Sequence, residues 1–148
     1  MSDSIVNHVG ICVTDLERSR RFYEDALGFR HWWDFGVPDE LGASVLRVPA
    51  PMGLTALYLV RDGWVLELLH YAEDAARQPA RERSMAEPGL THVSFSVDDL
   101  DATLERLAGL GVEPEKPPYT VREGGSRLCF VRDPDDYRVE LIEAGSRD

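Results

Sequence analysis

The sequence is poor in cysteine: only Cys12 and Cys129 occur in 148 residues. Two thiols so far apart build neither a disulfide framework nor a cysteine-rich zinc site. Reduced thiols in a cytosolic protein are the simpler reading. Positive charge is also in deficit. A formal net charge of −11 repels phosphate backbones and anionic lipid, so neither nucleic acid nor membrane is expected as a partner. Long apolar runs are missing too. The longest, such as ALYLV, are strand-sized and cannot span a bilayer. The N-terminal MSDSIVNHVG has an acid and no basic stretch before its apolar residues, unlike a signal peptide. These absences predict a soluble, cytoplasmic chain of single-domain size.

What is present is a repeat. NHVGICVTDLERSRRFYEDALGF (7–29) aligns with THVSFSVDDLDATLERLAGLGV (91–112). Both open on His-Val, reach Asp-Leu at the same offset and close on Leu-Gly plus an apolar residue. LVRDGWVLELLHY (59–71) aligns with FVRDPDDYRVELIEA (130–144), sharing Arg-Asp and then Val-x-Glu-Leu. The spacing predicts one domain made of module 5–72 and module 89–144, joined by a polar, proline-containing linker over 73–88.

Each module reads as strand, helix, then further strands. Val9, Ile11 and Val13 alternate with His8, Gly10 and Cys12, the period of a half-buried strand. Asp15 suits a helix N-cap and Gly28 its C-terminal stop. In the second module Val93, Phe95 and Val97 form the strand's apolar face, Asp98 or Asp99 the cap and Gly111 the stop. Strands are expected over 29–35, 43–48, 55–60 and 64–71, then over 126–131 and 137–143. Arg61-Asp62-Gly63 predicts a hairpin turn, Asp133-Pro134-Asp135-Asp136 another, and Gly124-Gly125 a loop. The class is α+β: two βαβββ modules, each helix on one face of its sheet.

Strand parity selects the candidate chemistry. His8 and His92 point away from the apolar face of their strands. Glu67 lies opposite Leu66 and Leu68, and Glu140 opposite Val139 and Leu141. Each module thus offers one imidazole and one carboxylate on the face away from its helix. Such a set suits zinc, nickel, cobalt, manganese or ferrous iron with a position left open. A lone strand His or Glu can equally be an exposed structural residue, and His31 and His70 are read that way. The recurrence of both types at one repeat position favours ligands for the other four.

The segments HVGICVTDLERSRRFYEDALGF, VLELL, GLTHVSFSVDDL and FVRDPDDYRVELIE resemble the vicinal oxygen chelate superfamily. That group includes glyoxalase I, methylmalonyl-CoA epimerase, extradiol dioxygenases, and bleomycin and fosfomycin resistance proteins. The resemblance implies a cup-shaped half-barrel around one divalent metal, held by His8, Glu67, His92 and Glu140. The ligand set is most similar to that of glyoxalase I. The epimerase usually has Gln where Glu67 stands, extradiol dioxygenases use His-His-Glu, and bleomycin-binding members lack the full set. Two positions depart from glyoxalase I: Cys12 stands where that family has an Arg on a glutathione carboxylate, and Tyr71 where it often has Asn. Both weaken the case for a glutathione adduct. Asp136 replaces a customary turn Gly.

The implied activity is a metal-dependent lyase or isomerase acting on a small substrate with two neighbouring oxygens. Glu140 or Glu67 would move the proton. Arg138, Tyr71, Ser94, Ser96 and Trp33 would line the cup, and Trp32 and Phe35 would extend an apolar wall. The alternatives are a ferrous-iron dioxygenase and a metal-free drug-binding resistance protein. A homodimer is expected in each case.

Overall fold

The computed structural model describes residues 5–73, 83–121 and 125–144. Residues 74–82 of the expected linker, and Gly124 of the expected loop, lie outside these. The chain divides into two compact units, Met1–Pro79 and Ala80–Asp148.

The first unit runs β1 (Val9–Val13), α1 (Leu16–Arg21), β2 (Arg30–Gly36), α2 (Asp39–Leu46), β3 (Leu54–Arg61) and β4 (Trp64–Tyr71). Its sheet has the order β1-β4-β3-β2. β1 lies parallel to β4, with Gly10 opposite Glu67, and the other pairings are antiparallel. The second unit runs β5 (His92–Val97), α3 (Leu100–Ala108), β6 (Tyr119–Thr120), β7 (Arg127–Arg132) and β8 (Arg138–Glu143). Its order is β5-β8-β7-β6, with β5 parallel to β8 and Ser94 opposite Glu140. Both units therefore carry the expected βαβββ succession, the first with a helix inserted. Among the described residues no helix is long and apolar enough to cross a membrane.

The helices start where short acids can cap them. Asp15 accepts a hydrogen bond from the Arg18 amide at 3.0 Å, and Asp99 from the Ala102 amide at 2.9 Å. This resolves the choice between Asp98 and Asp99. Gly28 (φ 71°) and Gly111 (φ 78°) end the helical segments in the left-handed region. After Arg21 the first helix widens into a π-helical turn, Phe22–Ala26. Phe22, Tyr23, Ala26, Leu27 and Phe29 are buried, as are Ile11, Val13, Leu57, Leu59, Leu66 and Leu68 on the strands. In the second unit Leu100 and Leu107 of α3 are buried, with Val131, Val139 and Leu141 of the sheet.

One expected strand is wrong. Residues 43–48 read as a strand, but 39–46 form α2. Pro38 opens the helix, and Asp39 and Glu40 suit its positive end. Gly42 packs so closely that an added Cβ would stand 2.5 Å from the Met52 sulfur. Arg47, at φ 57°, terminates it. Local capping and close packing outweigh the weak alternation of 43–48.

The expected hairpin turn is present, with Asp62 (φ 50°) and Gly63 (φ 79°) both left-handed. Before β8, buried Asp133 accepts from the amides of Asp135 and Tyr137 at 2.9 and 2.8 Å, and Asp136 takes φ 65° without being glycine.

Asp99→Ala is expected to cost about 1 kcal/mol of stability. Asp98→Ala should cost little. Urea unfolding of both variants checks this.

Candidate functional site

In each unit the face away from α1 or α3 is polar near the parallel strand pair. In β5, His92, Ser94 and Ser96 are exposed while Val93, Phe95 and Val97 are half-buried, as alternation requires. His8, Gly10 and Cys12 behave likewise beside buried Ile11 and Val13.

The structure brings the four candidate ligands together in pairs. His8 Nε2 lies 3.2 Å from Glu67 Oε2, and His92 Nε2 lies 3.8 Å from Glu140 Oε2. No group of three or more such donors occurs among the described residues. The remote ring nitrogens are both engaged: His8 Nδ1 with Asn7 Oδ1 at 2.7 Å, and His92 Nδ1 with Thr91 Oγ1 at 2.9 Å. A proton on His8 Nδ1, donated to Asn7, leaves the Nε2 lone pair facing a carboxylate oxygen. Two acceptors so placed call for a proton or a cation between them. An imidazole steadied through its remote nitrogen is also what metal ligation uses. The donor set therefore fits a divalent metal.

The glutamates are held differently. Tyr58 of β3 stands opposite Glu67 and donates its hydroxyl to Oε1 at 2.5 Å. Burial, the hydrogen bond to Glu67 and the carboxylate's charge push the Tyr58 phenol up to about 12, so it remains a donor at neutral pH. In the second unit Phe130 takes the position opposite Glu140, and the donor is Ser94, whose hydroxyl lies 2.5 Å from Glu140 Oε2. On the first unit's β1, the corresponding residue is Gly10, where a Cβ would come within 3.0 Å of Glu67 Oε2.

Next to the His8–Glu67 pair lies an aromatic ladder. Trp33 stacks on Phe35 at 5.0 Å and on Tyr58 at 4.9 Å, with all three rings nearly parallel. Trp32 meets Tyr58 edge-on at 6.5 Å, and His8 does so at 5.7 Å. A bulge makes this possible. His31 pairs with Leu59 and Trp33 with Tyr58, so Trp32 is an extra residue in β2. Without it Trp33 would fall on the helix-covered face.

The other expected lining residues are placed as follows. Tyr71 and Cys12 sit on the face of Glu67, and Tyr71 has its phenol raised by burial, then by electrostatic interaction with Cys12 and Glu67. Ser96 is exposed opposite Ile142. Arg138 sits opposite His92, donating to the Arg83 carbonyl at 2.7 Å and lying 3.6 Å from Glu115, which also pairs with Arg132. Its charge is thus partly spent within the unit. His31, read as structural, pairs with Asp34 at 2.8 Å. Tyr58 and Phe130 were missed. Counting back across the Asp62-Gly63 turn would have found Tyr58.

A sequence profile of the Glyoxalase/Bleomycin resistance protein/Dioxygenase superfamily matches residues 5–141. The chain belongs to that superfamily. It is 30% identical to the protein YwkD of Bacillus subtilis, covering 93% of this chain and 95% of that one. It is 32% identical to a lactoylglutathione lyase of Pseudomonas aeruginosa, covering 95% of this chain and 82% of that one. Among solved structures, a glyoxalase family protein from Bacillus cereus matches with a TM-score of 0.82 at 21% identity, covering 99% of each chain.

Spectrophotometric titration should show one tyrosine ionising near pH 12. In Glu67→Gln that tyrosine should ionise at lower pH, because the carboxylate's charge is lost and the amide oxygen accepts a weaker hydrogen bond. An unchanged titration would show that Glu67 does not act on Tyr58.

Proposed function

We propose that the protein is a metal-dependent lyase or isomerase of the glyoxalase type. The reading is carried by the two imidazole–carboxylate pairs, His8 with Glu67 and His92 with Glu140, at equivalent positions of a duplicated fold. Kinship with a lactoylglutathione lyase supports the reaction class. His8, Glu67, His92 and Glu140 would hold a zinc, nickel, cobalt, manganese or ferrous ion. Such an ion supplies Lewis acidity toward two neighbouring substrate oxygens, which acidifies the adjacent C–H bond.

The chain's own residues do the rest. Glu140 or Glu67 takes the proton from that carbon and returns it to the neighbouring one, so the net change is an internal redox with no external oxidant. Ser94 keeps the Glu140 carboxylate oriented through its hydroxyl. Trp33, Phe35 and Trp32 offer an apolar wall that excludes water from the reacting carbon. Cys12 and Tyr71 carry no cation to grip a carboxylate, so the substrate's remaining part is apolar or uncharged there. Ser96 and Arg138 contribute polar contacts at the second module. The active species is a homodimer.

The purified protein should contain a divalent metal by mass spectrometry, and His8→Ala and His92→Ala should each lose at least about 10-fold in metal affinity. Chelation should abolish turnover of a 2-oxoaldehyde hemithioacetal, and metal should restore it. In deuterated water the product should carry deuterium at the carbon that receives the proton. Metal-free wild-type protein whose His8→Ala variant keeps full activity would overturn the reading. Tight ligand binding without turnover would point to a binding protein instead.

A further inference from the structure

The fold repeats, but the support of its two glutamates does not. Each glutamate is flanked by two cross-strand neighbours on its own face. For Glu67 these are Gly10 on β1 and Tyr58 on β3; for Glu140 they are Ser94 on β5 and Phe130 on β7. Each set contains one hydroxyl, and it comes from opposite sides. The consequence lies in which oxygen is held. Glu67 has both oxygens engaged separately, Oε1 accepting from Tyr58 and Oε2 facing His8. On Glu140 both contacts, Ser94 and His92, fall on Oε2.

We infer that Tyr58 is a positioning residue: its hydroxyl fixes the rotation of the Glu67 carboxylate, so that Oε2 faces His8 and any cation bound between them. The inference rests on the metal reading of the site only for its second readout below. The physics is that of a charge-assisted O–H···O⁻ bond, stronger and shorter than a neutral one. A carboxylate turns easily about its last side-chain bond, and this bond opposes the turn. Tyr58 is itself held, its ring stacked on Trp33. The steadying reaches Glu67 from the aromatic ladder, whereas in the second module a serine on the parallel neighbour strand steadies Glu140.

The test exchanges one arrangement for the other. Tyr58→Phe removes the hydroxyl and keeps the ring; Phe130 already shows a phenyl ring at the equivalent position. Adding Gly10→Ser then supplies a hydroxyl from β1, as Ser94 does for Glu140. The introduced Cβ meets the end of the Glu67 side chain at 3.0 Å, which a small shift of the carboxylate, released from Tyr58, relieves. In a crystal structure of metal-free Tyr58→Phe, neither Glu67 carboxylate oxygen should remain near His8 Nε2, and the double variant should bring one back to about the 3.8 Å that separates Glu140 from His92. By competition against a chelator, cobalt affinity should fall by about 10- to 100-fold in Tyr58→Phe and recover in part in the double variant. A Tyr58→Phe protein that keeps Glu67 against His8 overturns the inference, whatever its metal affinity. A wild-type protein that binds no cobalt overturns the metal reading instead and leaves the crystallographic comparison to decide the role of Tyr58.

Discussion

The parallel pairing of each module's first and last strands is the constraint on which the site depends. Gly10 opposite Glu67, and Ser94 opposite Glu140, place each glutamate beside the strand that carries a histidine two residues earlier. A slip of one residue would turn every side chain of the strand to the other face. It would bury Glu67 under α1 and expose Leu66 and Leu68 in its place. Register is thus enforced by the apolar face rather than by the polar one. Full burial of a leucine side chain is worth roughly 1.5–3 kcal/mol, so two of them make the slipped pairing costly.

The helices serve the same end from the other side. Phe22, Tyr23, Ala26 and Leu27 cover the first sheet, and Leu100 and Leu107 the second. With one face so covered, the other can carry imidazoles, carboxylates and hydroxyls at no cost to the core. The polar atoms there still need partners, and they find them locally: Asn7 and Thr91 for the imidazoles, Tyr58 and Ser94 for the carboxylates. The histidines and glutamates are therefore oriented by neighbours in their own module.

Much of this was readable in the sequence because the repeat doubles every signal. A His, an Asp-Leu and a Val-x-Glu-Leu at matching offsets give the strand–helix–strand order twice, and strand parity then selects the face. A cap at Asp98 or Asp99 and the turns at Asp62 and Asp136 followed from residue chemistry, and the structure then chose Asp99. Failures arose where tertiary contact overrode local pattern. The segment 43–48 alternates like a strand, yet Gly42 against Met52 and the acids after Pro38 favour a helix. The bulge at Trp32 leaves no mark in the period, although it puts Trp33 on the face of Glu67. Tyr58 lay within reach. Once the Asp62-Gly63 turn is placed, Arg61 pairs with Trp64, and three steps back along each strand join Tyr58 to Glu67.

Duplication explains why the two sites correspond, and divergence explains why they are unequal. A glutamate between two strands has two flanking positions from which a hydroxyl can reach it, and one suffices. Once either flank supplies the donor, the other is free to change. That other flank is glycine in the first module, where the carboxylate sits close to the backbone, and phenylalanine in the second, where it meets His92 edge-on at 5.5 Å. The two solutions are not equivalent. A tyrosine reaches the far oxygen and leaves the near one for the histidine, whereas a serine shares one oxygen with it. The same four residue types thus yield one carboxylate with both oxygens engaged separately and one engaged through a single oxygen. Proton transfer requires a carboxylate with an oxygen to spare, while ligation favours one held still, so unequal support is a route by which identical side chains take different tasks.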